Sequence, residues 1–185
     1  MKKINQLILI IILVIICNAC TLSPASLAKH NPEILTAHAD SLLSAHPDDA
    51  ELKLAIISAK LNLAIKNNNL DEFRSVLKID AKNASARYHI YMAEGKEHHK
   101  KGHKNAQWDA IQSFAKAATT IDTLGEPYYW MGLAYEKKDE MDFELPLEVY
   151  DKALALYLPK DIYTLVISNR EALLKRKKTY ENFWK

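Results

Sequence analysis

From Pro32 onward apolar side chains return every three or four positions, the spacing that gathers one face of an α-helix. Punctuation between these stretches is strong. Asn31-Pro32 precedes the first, His46-Pro47-Asp48-Asp49 separates it from the second, and Lys66-Asn67-Asn68-Asn69 closes the second. The pattern predicts a helix over 32–45, a succession of helices over 49–159, and a last helix over 160–178. Thr21 to Asn31, with Ser23, Pro24 and Ser26, shows little periodicity and reads as a tether, spanning at most roughly 36 Å when extended.

The helical stretches repeat. Leu54-x2-Ile57-Ser58-x2-Leu61, Tyr88-x2-Tyr91-Met92-x2-Gly95 and Tyr128-x2-Met131-Gly132-x2-Tyr135 align at steps of 34 and 40 residues. In the helices that follow, Ala39, Phe73, Phe114 and Tyr150 stand 34, 41 and 36 apart. This arrangement resembles tetratricopeptide repeats, pairs of antiparallel helices with the pattern W-x2-L-G-x2-Y, then A-x3-F, then P. The last copy matches best, through Tyr128, Met131, Gly132 and Tyr135 and then Tyr150-Asp151-Lys152-Ala153-Leu154 with Pro159. Ala110-x3-Phe114-Ala115-Lys116-Ala117 is also close to pattern. Met92 at the small-residue position, Gly95 at an aromatic one and Pro146 in place of Ala depart from it. Pro146 is placed near a helix start, where a missing N–H costs little.

The resemblance implies an all-α fold, a short α-solenoid of antiparallel helix pairs with flanking capping helices. Repeats fall at about 49–82, 83–123 and 124–159, within a domain of 32–178 followed by a tail of 179–185. Gly132 and Ser58 are expected to let paired helices approach. Extra length is assigned to turns, Lys96 to Asn105 in the middle repeat and Lys137 to Phe143 in the last. An all-helical bundle with accidental periodicity is the alternative.

The first nineteen residues have a different character. Lys2 and Lys3 precede an unbroken apolar run from Leu7 to Cys17, and Asn18-Ala19-Cys20 follows. This is the layout of a bacterial export signal, and the run is shorter than the roughly 20 residues a spanning helix needs. Cys17-Asn18-Ala19-Cys20 resembles the lipobox of bacterial lipoproteins, with Cys17 where an aliphatic residue is usual. The resemblance implies cleavage after residue 19, a lipid on Cys20, and a tether of 20–31. With Thr21 after the Cys rather than the Asp that commonly retains lipoproteins at the inner membrane, it points to the outer membrane, facing the periplasm. An ordinary secretory signal cut nearby is the alternative.

Composition changes meaning once this segment is set aside. The chain of 185 residues has a formal charge of +2 from 25 basic and 23 acidic residues. Losing Lys2 and Lys3 leaves 23 of each. Cys17 leaves as well, so no thiol pair remains for a disulfide. Four glycines suit packed helices better than strands and turns. A neutral exported chain lacks the basic stripe that nucleic acid requires. The charge is uneven, however: Glu126 to Asp151 holds eight acidic and two basic residues, and Lys160 to Lys185 seven basic and three acidic. Solvated faces and a recognition surface explain this equally well.

Candidate chemistry is sparse. No nucleophile elbow, P-loop or H-E-x-x-H is present, and no cofactor is implied. His98, His99 and His103 are weak candidates for a metal site, opposed by the neighbouring lysines; a basic loop meeting anionic lipid or an acidic partner is the other reading. His46 before Pro47 reads as a helix-end residue. The repeat alignment implies a concave groove lined by Ala55, Ala59 and Asn62, by His89, Ala93 and Lys96, and by Tyr129, Leu133 and Glu136, suited to a peptide segment of an envelope protein. Tyr129 and Leu133 as plain core are the alternative. Tyr180 to Trp184 is expected to cover the last helix as a lid, or to anchor a partner. The expected function is a non-enzymatic scaffold or assembly factor of the cell envelope, resembling secretin or pilus pilotins or envelope adaptors. The competing readings are a metal-handling protein or enzyme built on His98 to His103, and a spacer with no specific ligand.

Overall fold

A computed structural model describes residues 23–184. The lipobox Cys20 and the export signal lie outside the described residues. The chain divides into two compact units, to either side of Asn68 and Asn69, and this division falls inside the segment 49–82.

In the N-terminal unit α1 (Pro24–His30), α2 (Pro32–Ala37) and α3 (Ala39–Ala45) precede the long α4 (Ala50–Asn67). The expected tether is therefore helical for most of its length. Ser23 caps α1 by accepting the Ser26 N–H on its hydroxyl at 3.2 Å, and Pro24 occupies the first helical position. Both residues had the look of loop punctuation, yet both are helix starters. α1 and α2 pack on α4, with Ala28, Leu35, Leu52, Ala55 and Ile56 buried. The helix expected over 32–45 breaks at His38, whose N–H turns back to the Thr36 carbonyl. Along α4 the buried small residues are Ala55, Ala59 and Ala64, while Leu54 and Ser58 are exposed, so Ser58 is not a point of close helix approach. α4 ends at Asn68, in the left-handed region with φ 49°, whose N–H bonds the carbonyls of Ala64 and Ile65.

The C-terminal unit contains α5 (Leu70–Ile79), α6 (Ala84–Lys101), α7 (Lys104–Thr120), α8 (Glu126–Lys138), α9 (Glu144–Leu154) and α10 (Lys160–Phe183). Each packs chiefly on its neighbours in sequence, and the short turns make consecutive helices antiparallel. This is the all-α, tetratricopeptide-like solenoid of stacked helix pairs that the resemblance implied. Its core is a chain of overlapping layers. Tyr88, Met92, Ile111, Phe114 and Met131 fill the space between α6, α7 and α8, and Tyr129, Leu147, Tyr150, Val166 and Leu173 that between α8, α9 and α10. Tyr128 and Trp130 of α8 touch both layers.

Two glycines set the pairing distance. A Cβ on Gly132 would lie 2.2 Å from the Tyr150 ring, and one on Gly95 would lie 2.4 Å from the Phe114 ring. Gly95 is thus the counterpart of Gly132, and the middle repeat aligns three residues later than its aromatics suggested. Tyr91 matches Tyr128 and Gly95 matches Gly132 at a step of 37, while Phe114 matches Tyr150 and Ala117 matches Ala153 at a step of 36. The cations keep step as well: Lys116 sits over the Tyr91 ring at 5.9 Å and Lys152 over the Tyr128 ring at 4.5 Å.

The supposed insert of the middle repeat is mostly helix. α6 continues through His98 and His99 to Lys101, Gly102 caps it at φ 84°, and α7 begins at once with His103 as its N-cap. Likewise α10 does not stop at 178 but runs to Phe183, so the aromatic tail is helix rather than a lid folded back over it. Pro146 lies in the first turn of α9, as expected.

α10 explains the uneven charge. Arg170 pairs with Asp151, Arg176 donates to a Glu136 oxygen at 2.9 Å and to the Glu140 carbonyl at 3.0 Å, and Lys177 pairs with Glu144. The basic end of the chain docks on the acidic repeat. Only Val166 and Leu173 of α10 are wholly buried. Near its start, Tyr157 donates its N–H to the Thr123 carbonyl at 3.0 Å and accepts the Gly125 N–H at 2.8 Å. These bonds form an isolated parallel bridge between Leu124 and Tyr157, tying two inter-helix turns together. Among the described residues no helix is long and apolar enough to cross a membrane.

Candidate partner-binding groove

The first helices of successive layers, α6, α8 and α10, run side by side, and their C-terminal halves wall a cavity of about 1170 Å³. His99 comes from α6, and Leu133, Glu136 and Lys137 from α8. Met141 and Phe143 rise from the turn after α8, and Asn169, Ala172, Lys175, Arg176, Tyr180 and Phe183 from α10. The floor is apolar and aromatic, with the Phe143 and Tyr180 rings 5.6 Å apart. Charged groups stand at the edge.

Glu136 is fixed from both sides, because the Tyr150 hydroxyl donates to one of its oxygens at 2.7 Å and Arg176 donates to the other at 2.9 Å. Burial and this carboxylate together push the Tyr150 hydroxyl well above the usual phenol range, so it remains a proton donor. Tyr129 belongs to the core rather than the cavity wall. Its ring packs near those of Trp130 and Tyr150, and its hydroxyl accepts from the Asn169 amide at 3.3 Å.

His99 is the groove residue that the repeat alignment missed. At a step of 37 it is the positional counterpart of Glu136, just as Lys96 is of Leu133. Gln107, wholly buried on α7, donates its amide to the His99 carbonyl at 3.0 Å, which turns its own oxygen toward His99 Nδ1, 2.6 Å away. That geometry assigns the proton to Nδ1 and leaves Nε2 as an acceptor. Burial lowers the imidazole's pKa, the bond to Gln107 opposes this, and Lys137 reinforces it. His103 is occupied differently, accepting the Ala106 N–H on its Nδ1 at 3.2 Å. His98, His99 and His103 are thus not a ligand set, and among the described residues no group of three metal-ligating side chains converges.

Of the remaining expected groove positions, His89 and Lys96 meet in a neighbouring cluster. Lys96 pairs with Glu126 at 2.9 Å and lies 4.9 Å over the Trp130 ring, whose indole N–H donates to the same carboxylate at 3.2 Å. His89 stacks on Phe73 at 4.6 Å, and burial lowers its pKa against the opposing pull of Glu126. Burial also raises the nearby Tyr88 hydroxyl, with Glu126 adding to the effect. Ala93 is half-buried on α6, six residues before the cavity-lining His99. Ala55, Ala59 and Asn62 belong to the N-terminal unit, the two alanines buried and Asn62 exposed. That unit has its own smaller hollow of about 280 Å³ among Leu27, Leu35, Leu42 and Leu52, with His46 and Asp49 at its edge.

No family model and no curated protein matches the chain. A solved structure titled "Crystal structure of MamA" is similar to it at 16% identity, over 83% of this chain and 93% of that one, with a TM-score of 0.40. The fold described above rests on the helix packing itself.

Proposed function

We propose that this chain is a lipid-anchored scaffold of the bacterial cell envelope that captures a segment of a partner protein between α6, α8 and α10. The observation that carries this reading is the cavity of about 1170 Å³, lined mainly by α8, the turn after it and α10, and larger than the roughly 300–1,000 Å³ typical of small-molecule sites. Its floor of Leu133, Met141, Phe143 and Tyr180 matches the apolar anchors of a helix or extended segment. The membrane part of the proposal rests on Ala19-Cys20 behind the apolar run. A lipid on Cys20 holds the groove at the periplasmic face of the outer membrane, where anchoring raises the local concentration of an envelope partner. Pilotin-like and adaptor roles both use this mechanism.

Two experiments test the two halves. A photo-crosslinker at Met141 in intact cells should trap a defined partner, and the adduct should vanish when Leu133→Arg is added to the same chain. Recovery of no adduct from any groove position refutes the scaffold reading. Fatty-acid labelling should be lost in Cys20→Ala; label that persists refutes the anchor.

A further inference from the structure

We propose that the groove selects an acidic amphipathic segment, one with apolar side chains flanked by carboxylates. This rests on the groove reading above and specifies its partner. The cations near the cavity fall into two sets. Arg176 is spent on Glu136 and the Glu140 carbonyl, and Lys177 on Glu144. Lys137 and Lys175, on opposite walls, make no ion pair among the described residues, and neither do Lys100 and Lys101 in the last turn of α6 beside His99. The Glu136 charge is already offset by Arg176, with the Tyr150 hydroxyl on its other oxygen. Glu140 alone among the lining residues offers a carboxylate outside the ion pairs. The lining thus sets Lys137, Lys175 and Arg176 against Glu136 and Glu140, a net positive rim around an apolar floor, and carboxylates on an entering segment complement it.

The same rim disfavours the other occupants. A basic segment would add unpaired cations to unpaired cations, and like charges brought together at an interface select against that partner. A flat anionic bilayer would meet the lysines but leave the Leu133–Phe143 floor unfilled, since Lys137 and Lys175 border a concavity rather than a plane.

The test uses the full chain and two synthetic peptide libraries, identical in their Leu and Phe positions and differing only in Glu or Lys at the flanking ones. Fluorescence anisotropy at low salt should show the Glu library binding at least about tenfold tighter, with the advantage shrinking as ionic strength rises. In the doubly substituted Lys137→Glu, Lys175→Glu chain the preference should invert, with helicity by circular dichroism unchanged. Leu133→Arg should abolish binding of both libraries. Equal affinities, or a preference that survives the charge reversal, overturn the proposal while leaving the groove reading intact. Failure of both libraries, with Leu133→Arg silent, overturns the groove reading as well. Binding to anionic vesicles that the charge reversal abolishes, without discrimination between the libraries, assigns the lysines to a membrane surface and overturns the proposal.

Discussion

Replacing Gly132 with Ala should destabilise the C-terminal unit by about 2 kcal/mol, against the ordinary expectation that alanine strengthens a helix. The new methyl would lie 2.2 Å from Tyr150 Cε1 and 2.6 Å from Cδ1, more than 1 Å inside ordinary contact. Tyr150 has nowhere to go: it is wholly buried, and its hydroxyl is bonded to Glu136 at 2.7 Å. Overpacking of this kind costs about 1–3 kcal/mol, and the fixed ring places this site at the upper end. The gain in helix propensity from Gly to Ala offsets about 1 kcal/mol of that. With a urea m-value of about 2 kcal/mol/M, the unfolding midpoint should fall by about 1 M. The assay is tryptophan fluorescence, since Trp108, Trp130 and Trp184 all lie in the C-terminal unit. A double-mutant cycle isolates the contact: Tyr150→Leu, itself destabilising, should relieve the clash and show a coupling of about 1–2 kcal/mol with Gly132→Ala. A midpoint unchanged or raised in Gly132→Ala, or strict additivity in the double variant, would falsify the close-approach account. Gly95→Ala should behave alike against Phe114, and its agreement would establish that the two glycines are equivalent repeat positions.

Further expectations concern caps, charge and protonation. Gly102→Ala should cost about 1 kcal/mol, because the backbone there stands at φ 84°, and His103→Ala should cost a similar amount through loss of the α7 cap; thermal melts of each variant measure both. Arg176→Gln removes an exposed contact and should lower stability by less than about 1 kcal/mol, yet hydrogen exchange should accelerate in the C-terminal half of α10 and not around Tyr157. His89 and His99 are both held below the ordinary imidazole pKa by burial, so the unfolded chain binds their protons more readily. Stability should therefore fall as pH drops below about 6.5, and His99→Gln should lose less of it between pH 7.5 and 5.5 than the parent, as read from urea midpoints. A variant with an unaltered pH dependence would show that the His99–Gln107 contact carries none of this effect.

The helices were legible because their apolar period and stops such as Lys66-Asn67-Asn68-Asn69 are local signals, whereas Gly102 was hidden inside a stretch read as a turn. What escaped the sequence depended on partners. Ser23-Pro24 reads equally as loop or helix start until α4 offers Ala28 something to pack against. Leu54 outranks Ala55 by hydrophobicity, yet only the alanines allow close approach on the buried face of α4. The middle repeat hid its register because Glu94 and His98 occupy positions that are apolar or aromatic in the last copy. The legible trace was the spacing from glycine to aromatic, 19 residues from Gly95 to Phe114 and 18 from Gly132 to Tyr150. Of the groove, Leu133 and Glu136 followed from the pattern. His99 did not, and neither did the whole α10 wall, whose lysines and arginines resemble any solvated helix until Asp151, Glu136 and Glu144 stand opposite.

The two ends of α10 are held by different kinds of bond. At Tyr157, just before the helix begins, the chain is stitched by paired backbone hydrogen bonds to Thr123 and Gly125, which salt scarcely affects. Some twenty residues on, Arg176 and Lys177 are held by ion pairs to Glu136 and Glu144, which salt weakens. The groove wall is therefore fastened by bonds of unequal sensitivity to salt, and rising ionic strength should loosen it from the Arg176 and Lys177 end before the Tyr157 end.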